Sequence, residues 1–332
     1  MRISLTLCVT SIAIIVFTTS CSPQSNTPPA PTPIPDSTST PLPDPSPTVI
    51  PVIDPVIDTI QGSFRNQIGI LEENMPRSNS EGFVIPTKKE QADFANLVSM
   101  LGAQNLTSAV QLATQNDYTL TYYEDRGDEH AVSYLLRENK PIQKGWGLYA
   151  FRLNSTSNII IEAPHPLYDR RTPSVALDIY RALDARALLI AGAHRNSNSD
   201  GSADVAHTTE SIFHSVHDAL SQEIQAVSGD VIILQIHGFH TSKHEGYPQV
   251  VFGFGKNAQA NEVALAERIM GALSDQGITS GQCAGGDLQD LCAKTNVQGS
   301  MNDILFIHIE LDEKLRRNDD QLVAALIQVF GK

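Results

Sequence analysis

Residues 231–236 read Val-Ile-Ile-Leu-Gln-Ile, and His237 and Gly238 follow directly. Only Gln235 interrupts the apolar run, which is typical of a strand covered by helices on both faces. Further apolar runs alternate with segments of helical periodicity, and repeated β-α-β units predict an α/β fold. We expect a three-layer molecule with a largely parallel, mixed sheet between two layers of helices. The other predicted strands of this part are residues 159–161, 187–191 and 304–309, and the predicted helices are 172–183, 208–225, 261–273 and 320–330.

The chain before residue 156 has a different pattern. Two helices are followed by strands that Gly, Asp and Asn clusters separate, which is typical of antiparallel structure. We therefore predict an N-terminal α+β extension of the sheet over residues 59–155 and an α/β catalytic core over residues 156–332. The helices of the extension are predicted at residues 94–101 and 106–112, and its strands at 118–123, 131–136 and 148–153.

The first 58 residues predict export and tethering. Arg2 precedes an apolar run over residues 3–17, and small residues lead to Cys21, as in a secretory signal. The ending resembles the bacterial lipobox, so we expect residues 1–21 to be a lipoprotein signal peptide and Cys21 to be lipidated. An ordinary signal peptidase site with Cys21 as a bystander is the alternative. Residues 22–58 are rich in Pro, Ser and Thr, which predicts a disordered tether.

Charge and cysteine content restrict the partners. The net charge is −14 and the basic residues are scattered, so we expect no nucleic-acid partner. A lipid anchor would be the only link to a membrane, on the periplasmic or cell-surface side of a bacterial cell. In that oxidising compartment Cys283 and Cys292, which flank a Gly-rich loop, are predicted to form a disulfide.

Polar side chains follow the predicted strands of the core. His165 and Asp169 come after the first, Arg195 after the second and His237 after the third, and Glu310 ends the last. Ligands of α/β sheets bind at the carboxyl ends of the strands. Two imidazoles and a carboxylate with one open position are typical of catalytic zinc, and a nearby carboxylate can serve as base. We therefore predict zinc held by His165, Asp169 and His237, with Glu310 as base and Arg195 holding or polarising the substrate.

Several alternatives stay open on the residues alone. His240 or His244 can replace Asp169 as a ligand, and iron or manganese suits the same donors as zinc. Arg195 can instead form a structural ion pair with Asp204. The chain has no Gly-x-Ser-x-Gly motif to hold a serine nucleophile, which leaves metal-dependent hydrolysis. The remaining side chains expected to bind substrate are His194, Asp204 and His207.

This layout resembles the zinc-dependent carboxypeptidase-like superfamily, and within it the N-formylglutamate amidohydrolases and phage-type poly-γ-glutamate hydrolases. Those enzymes have a His and a carboxylate after an early strand, a second His after a later strand and a glutamate after the last. His165 and Asp169 match the first pair, although the family usually has Glu at the second position. His237 matches the later His and Glu310 the final glutamate, and the resemblance covers residues 158–330.

The resemblance implies a zinc exopeptidase-like fold and cleavage of an amide or peptide bond near a carboxylate. We therefore expect a surface-anchored hydrolase of the carboxypeptidase or N-acyl amino acid amidohydrolase type, acting on a peptide or an acyl-amino-acid-like substrate. The alternative is a non-catalytic lipoprotein that binds an anionic ligand or a metal in the same cleft.

Overall fold

The computed structural model describes residues 57–127, 132–256, 258–283, 288–300 and 304–331. The predicted signal peptide, Cys21 and nearly all of the predicted tether lie outside the described residues. Within these ranges, no helix combines the length and the apolar character of a membrane span.

The described residues form one sheet of ten strands and seven α-helices. The strands are β1 (Thr59–Gly62), β2 (Tyr118–Asp125), β3 (Val132–Glu138), β4 (Leu148–Phe151), β5 (Ile159–Ala163), β6 (Ala187–Ile190), β7 (Val231–Gly238), β8 (Val250–Gly253), β9 (Ser280–Gln282) and β10 (Ile304–Leu311). The helices are α1 (Phe64–Asn74), α2 (Lys88–Gly102), α3 (Leu106–Gln115), α4 (Thr172–Ala182), α5 (Ile212–Ser228), α6 (Ala260–Asp275) and α7 (Asp320–Phe330). Short 3-10 helices occupy Thr241–Lys243, Gln289–Leu291, Gln298–Ser300 and Leu315–Arg317.

The spatial order of the strands is β1-β2-β3-β4-β6-β5-β7-β10-β8-β9. The four central strands β6, β5, β7 and β10 run parallel. Strands β2, β3 and β4 pair antiparallel, β4 joins the centre antiparallel to β6, and β8 lies antiparallel to β10. The predicted α/β fold with a largely parallel, mixed sheet is confirmed.

Two hydrophobic cores lie on opposite faces of the sheet. Successive strand residues point to opposite faces, so Ile161 and Ile236 pack in the core with α1, α4, α6 and α7. Ile160 and Ile233 pack in the core with α2, α3 and α5. The sheet is thus covered on both faces, which explains why its central strands are apolar at nearly every position.

Some element boundaries differ from the predictions. Helix α2 begins at Lys88 because Thr87 and Glu90 form a reciprocal capping box, whereas the apolar periodicity begins only at Phe94. Helix α5 begins at Ile212, four residues later than predicted, because the Ser211 side chain caps it by accepting the His214 N–H. Strand β1 and helix α1 were not predicted. The predicted bridge between Cys283 and Cys292 is present.

Candidate metal centre

His165 and Asp169 lie in the loop that connects β5 to α4. The Asp169 N–H donates to the His165 carbonyl at 2.8 Å, which closes one turn between them. The Asp169 carbonyl then accepts from the Thr172 hydroxyl at 2.8 Å, at the first residue of α4. Pro173 follows in the first turn of the helix, where its missing N–H costs nothing. The loop is therefore held at both ends, and it turns both side chains toward the carboxyl end of the sheet.

His237 and Glu310 come from two neighbouring parallel strands. Both lie in the last residues of their strands, and the β7–β10 ladder places Glu310 directly beside His237. Paired residues of a parallel ladder point to the same face, so the two side chains lie next to each other. The structure thus brings together His165, Asp169, His237 and Glu310, which are far apart along the chain.

Three donor atoms converge around the Asp169 carboxylate. Asp169 Oδ2 lies 3.3 Å from His165 Nδ1 and 3.0 Å from His237 Nδ1. The two imidazole rings meet edge to face with their centroids 4.7 Å apart. All three side chains are buried, with at most 4% of their surface exposed.

These separations fit a shared metal ion. Ligands about 2.0–2.1 Å from a tetrahedral zinc lie about 3.3 Å from one another. One donor atom of each residue lies within 4.8 Å of the other two, so small adjustments suffice to bind an ion between them. Two imidazole nitrogens and a carboxylate oxygen are also the donor set that zinc prefers at catalytic sites.

The electrostatics of the cluster favour a cation. Burial opposes the charge on Asp169, yet hydrogen bonds from His165 and His237 hold the pKa of its carboxyl well below the usual value. Burial also opposes a charge on His165, but Asp169 and Asp204 raise the pKa of its imidazole. Burial and the neighbouring His165 lower the pKa of His237 to about 4. The buried carboxylates thus favour a positive charge next to them.

Glu310 borders this cluster from the β10 side. Burial raises the pKa of its carboxyl well above the usual value, and the Asp169 charge raises it further. Among the described residues, its Oε2 has no hydrogen-bond partner, so this oxygen is available to a water or a substrate. A cation bound next to it would lower the pKa of Glu310 again and release its proton, as a general base requires.

A second group of polar residues lies on the other side of His165. His165 Nε2 is 2.8 Å from Asp204 Oδ1, and the same carboxylate forms ion pairs with Arg195 and His207. Arg195 Nη1 also lies 3.3 Å from His165 Nδ1. The ion pair between Arg195 and Asp204, one of the alternatives from the sequence, is therefore formed. This ion pair holds the guanidinium at the edge of the metal cluster.

The remaining predicted residues lie further out. His194 packs its ring against Tyr168 and lines a cavity of about 730 Å³ next to the β5–α4 loop, together with two basic residues of that loop. His240 pairs with Glu313, and His244 lies 3.0 Å from Asp290. Both loop histidines are thus engaged by other acids, whereas Asp169 lies between the two candidate imidazole ligands.

The Arg316 side chain connects two segments that carry site residues. Its guanidinium donates to the Phe239 carbonyl at 3.0 Å and to the Arg170 carbonyl at 2.6 Å, which ties the end of β7 to the loop that carries Asp169. A Cβ at Gly238 would collide with this guanidinium, so a larger residue after His237 would push the Arg316 side chain out of place.

Sequence reasoning missed part of the site. His308 was not among the predicted site residues, yet its ring stacks on His237 at 4.3 Å and its Nδ1 has no partner in the described part of the chain. No role was predicted for His214 and His217, and both are buried. Gln235 was read only as an interruption of an apolar run, yet it contacts His237. The alternation of β10, which places His308 and Glu310 on one face, was the available signal.

Comparison with solved structures finds several that are similar to parts of this chain. The similar structures include an N-formylglutamate amidohydrolase from Ralstonia eutropha JMP134, with 12% identity and a TM-score of 0.38, over 55% of this chain and 94% of that one. A bacteriophage poly-γ-glutamate hydrolase has 13% identity and a TM-score of 0.31, over 53% and 83%. A metallo-carboxypeptidase from Burkholderia cenocepacia has 15% identity and a TM-score of 0.34, over 75% and 69%.

The names of these structures include the amidohydrolases, poly-γ-glutamate hydrolases and carboxypeptidases that the sequence resembles. No protein-family model and no curated protein matches the chain. At these identities and TM-scores, the similar structures do not show what this chain catalyses. Its function has to be inferred from its own residues.

Proposed function

We propose that this protein is a zinc-dependent hydrolase of an amide or peptide bond, of the N-acyl amino acid amidohydrolase or carboxypeptidase type. The observation that supports it is the approach of His165 Nδ1 and His237 Nδ1 to Asp169 Oδ2, at 3.3 and 3.0 Å, beside the buried Glu310. Two further groups of described residues could hold an ion, one with Asp204 and His207 and one with His308 and Glu310, and each shares a histidine with this cluster.

The chemistry follows from the donors and their neighbours. Zinc held by His165, Asp169 and His237 would supply Lewis acidity, which polarises a carbonyl and lowers the pKa of water. Glu310 takes a proton from the attacking water and passes it to the leaving amine. The buried position of Glu310 favours this role, because burial stabilises the neutral carboxyl that forms when Glu310 takes the proton from water.

Arg195 is proposed to orient the substrate. Asp204 holds its guanidinium beside His165, and a guanidinium stays charged at any physiological pH. The guanidinium can donate to a substrate carboxylate or to the carbonyl under attack. His207, which is also paired with Asp204, lies on the exposed side and extends the same polar wall.

The test uses the full-length chain, purified in detergent, with N-acyl amino acids and short peptides as substrates. We expect bound zinc, release of a free amino acid, and loss of this activity on chelation with recovery on adding zinc. Glu310→Gln should lower the rate by about 10²- to 10⁴-fold while zinc stays bound. Glu313→Gln is the matched control. Glu313 is a half-buried acid three residues further along the chain, and its substitution should leave the rate unchanged.

The same variants separate the enzyme from a protein that only binds. A binding lipoprotein would retain its ligand in Glu310→Gln and would release no amino acid in either form. A wild-type protein that binds no zinc, or whose turnover survives complete chelation, would contradict the proposed function.

We also propose that the chain is a bacterial lipoprotein anchored through Cys21 and acting outside the cytoplasm. The support is the sequence of residues 1–21 and the Pro-rich stretch after it. Metabolic labelling with a palmitate analogue should mark the wild type and leave Cys21→Ser unlabelled. Equal labelling of both would exclude this anchor.

A further inference from the structure

A line of buried polar side chains runs from His237 away from the candidate metal centre. Gln235 Oε1 lies 2.9 Å from His237 Nε2, and Gln235 Nε2 donates to Glu162 Oε2 at 2.8 Å. The other oxygen of Glu162 lies 2.6 Å from His217 Nδ1. Gln235, Glu162 and His217 have no exposed surface at all. The line thus connects a candidate ligand to the interior of the protein and avoids solvent.

The fold places these residues by strand pairing and helix packing. Glu162 on β5 and Gln235 on β7 are partners in the parallel ladder, so they point to the same face. His217 reaches them from α5, which covers that face. Around them lie Ile160, Ile233 and other members of the hydrophobic core.

Such a line is costly to bury. A carboxylate and polar groups removed from water lose hydration, and apolar residues of similar size often give equal or greater stability. Burial opposes a charge on His217, but the neighbouring Glu162 carboxylate raises the pKa of its imidazole. Stability alone therefore gives no reason for this pair, and its contact with Gln235 suggests a role at the metal centre.

Donor and acceptor chemistry fixes the direction of every bond in the line. A carboxylate only accepts, so the Gln235 amide must turn its NH₂ group to Glu162 and its carbonyl oxygen to His237. Asn296 Nδ2, which donates to the same carbonyl oxygen at 2.5 Å, supports this orientation. Both ring nitrogens of His237 face an acceptor, Nε2 the Gln235 carbonyl at 2.9 Å and Nδ1 the Asp169 carboxylate at 3.0 Å. A metal between Nδ1 and Asp169 would need the lone pair of Nδ1, so His237 would then carry its proton on Nε2, where the Gln235 carbonyl accepts it.

We propose that Gln235, oriented by Glu162 and His217, is a positioning residue that locks His237 in the tautomer whose Nδ1 is free to bind a metal. This deepens the proposed function and rests on it for the metal. Groups that hydrogen-bond to the far nitrogen of a ligating His set its tautomer and ring orientation, and their loss lowers metal affinity about 10- to 100-fold.

The first test measures zinc affinity of the folded full-length protein by competition with a chromophoric chelator. Gln235→Leu should bind zinc about 10- to 100-fold more weakly than wild type. Gln235→Glu should be similarly weak, because it sets two carboxylates against each other. Ser221→Ala is the matched control. Ser221 lies on α5 and is also fully buried, and its hydroxyl has no partner among the described residues. Removing this hydroxyl should leave the zinc affinity within about twofold of the wild-type value.

The decisive variant exchanges the two residues. Glu162→Gln together with Gln235→Glu keeps a donor facing an acceptor at each position, since the new amide on β5 can donate to the new carboxylate on β7. That carboxylate can in turn accept the N–H of His237. This double variant should recover zinc affinity to within about threefold of wild type or better, because a charged acceptor bonds more strongly. If the double variant binds zinc no better than Gln235→Glu alone, the positioning role is excluded. The role is also excluded if Gln235→Leu binds zinc like wild type.

A second readout needs no metal and separates this proposal from the proposed function. Nitrogen-15 chemical shifts of histidine report which ring nitrogen carries the proton. In the metal-free protein, the Gln235 carbonyl and the Asp169 carboxylate compete for the single proton of the neutral His237 ring, so Gln235→Leu should move this proton from Nε2 toward Nδ1. Nitrogen-15 shifts of His237 that are the same in wild type and Gln235→Leu would overturn the inference even if the enzyme is active. The expected change in a protein that binds no zinc would uphold the hydrogen-bond line and refute the proposed function.

Discussion

Glu310 lies directly beside His237 on one rung of the β7–β10 ladder. The candidate base and one candidate ligand are therefore held by the backbone pairing of two buried strands. Catalytic groups on strands are placed more accurately than groups on loops. The loop residues His165 and Asp169 complete the cluster, and the Arg316 guanidinium fastens that loop to the end of β7.

Asp169 is the residue whose removal should affect metal binding most selectively. Asp169→Asn keeps the shape of the side chain but removes the negative charge between two imidazoles, so we expect zinc affinity to fall at least tenfold. Equilibrium competition with a chelator measures this change. Asp200→Asn, on the exposed surface, is the control and should bind zinc like wild type. Unchanged affinity in Asp169→Asn would mean that another residue completes the ligand set.

Asp204 should control the protonation of His165 in the metal-free protein. Its carboxylate is 2.8 Å from His165 Nε2 and raises the pKa of that imidazole. Asp204→Asn removes this charge, so the pKa of His165 should fall in an NMR titration of the histidine ring protons. Asp290→Asn, whose carboxylate pairs with His244 instead, should leave His165 unchanged. An unaltered His165 titration in Asp204→Asn would contradict the contact.

Asp319 should make the fold less stable as the pH rises. Burial and the neighbouring Asp178 raise the pKa of Asp319 to about 6 in the folded chain, from an ordinary value of 3.8. As the pH rises, the unfolded chain therefore loses this proton at a lower pH than the folded chain does. The free energy of unfolding thus falls between about pH 4 and pH 6. Asp319 precedes α7 without a side-chain capping bond, so Asp319→Asn loses no cap.

Denaturant unfolding at several pH values tests this sign. At pH 7 Asp319→Asn should be more stable than wild type by about 1 kcal/mol, a value reduced for the partial exposure of the group. Below about pH 4 the two proteins should be equally stable. A gain of the same size at pH 3.5 and pH 7 would show that the effect is not electrostatic.

The bridge between Cys283 and Cys292 should stabilise the fold by about 2–3 kcal/mol. It closes a short loop, with the two cysteines nine positions apart, and a cross-link of that size removes about this much entropy from the unfolded chain. Reducing agent should therefore lower the melting temperature of wild type. Cys283→Ser with Cys292→Ser should melt at the lower temperature and no longer respond to reductant. An equal response of both proteins would point to another cause.

The sequence was enough to predict the central strands and the residues at their ends. Apolar runs identify β5, β6, β7 and β10, and parallel pairing then brings residues at their carboxyl ends to one edge. This is why His165, His237 and Glu310 could be predicted as neighbours. Boundaries were less accurate, because caps such as Ser211 lie outside the apolar periodicity that signals a helix.

The buried polar residues could not be predicted in the same way. Glu162 and Gln235 each interrupt an apolar strand once, and hydropathy does not show whether such a residue faces a partner or marks an edge. His217 lies on the same face of α5 as Phe213 and Leu220, but this spacing does not show its partner, and only the packing of α5 on the sheet brings it to Glu162. The partners in these two contacts are separated by 55 and 73 positions along the chain, so only the folded structure shows that they meet.

X-ray absorption at the zinc edge of the zinc-loaded, full-length protein tests the central claim most directly. The account predicts one zinc per chain with two imidazole ligands from His165 and His237 and an oxygen from Asp169, all about 2.0–2.2 Å from the metal. His237→Ala should reduce the imidazole count to one. A spectrum without imidazole scattering, or one that His237→Ala leaves unchanged, would contradict the account.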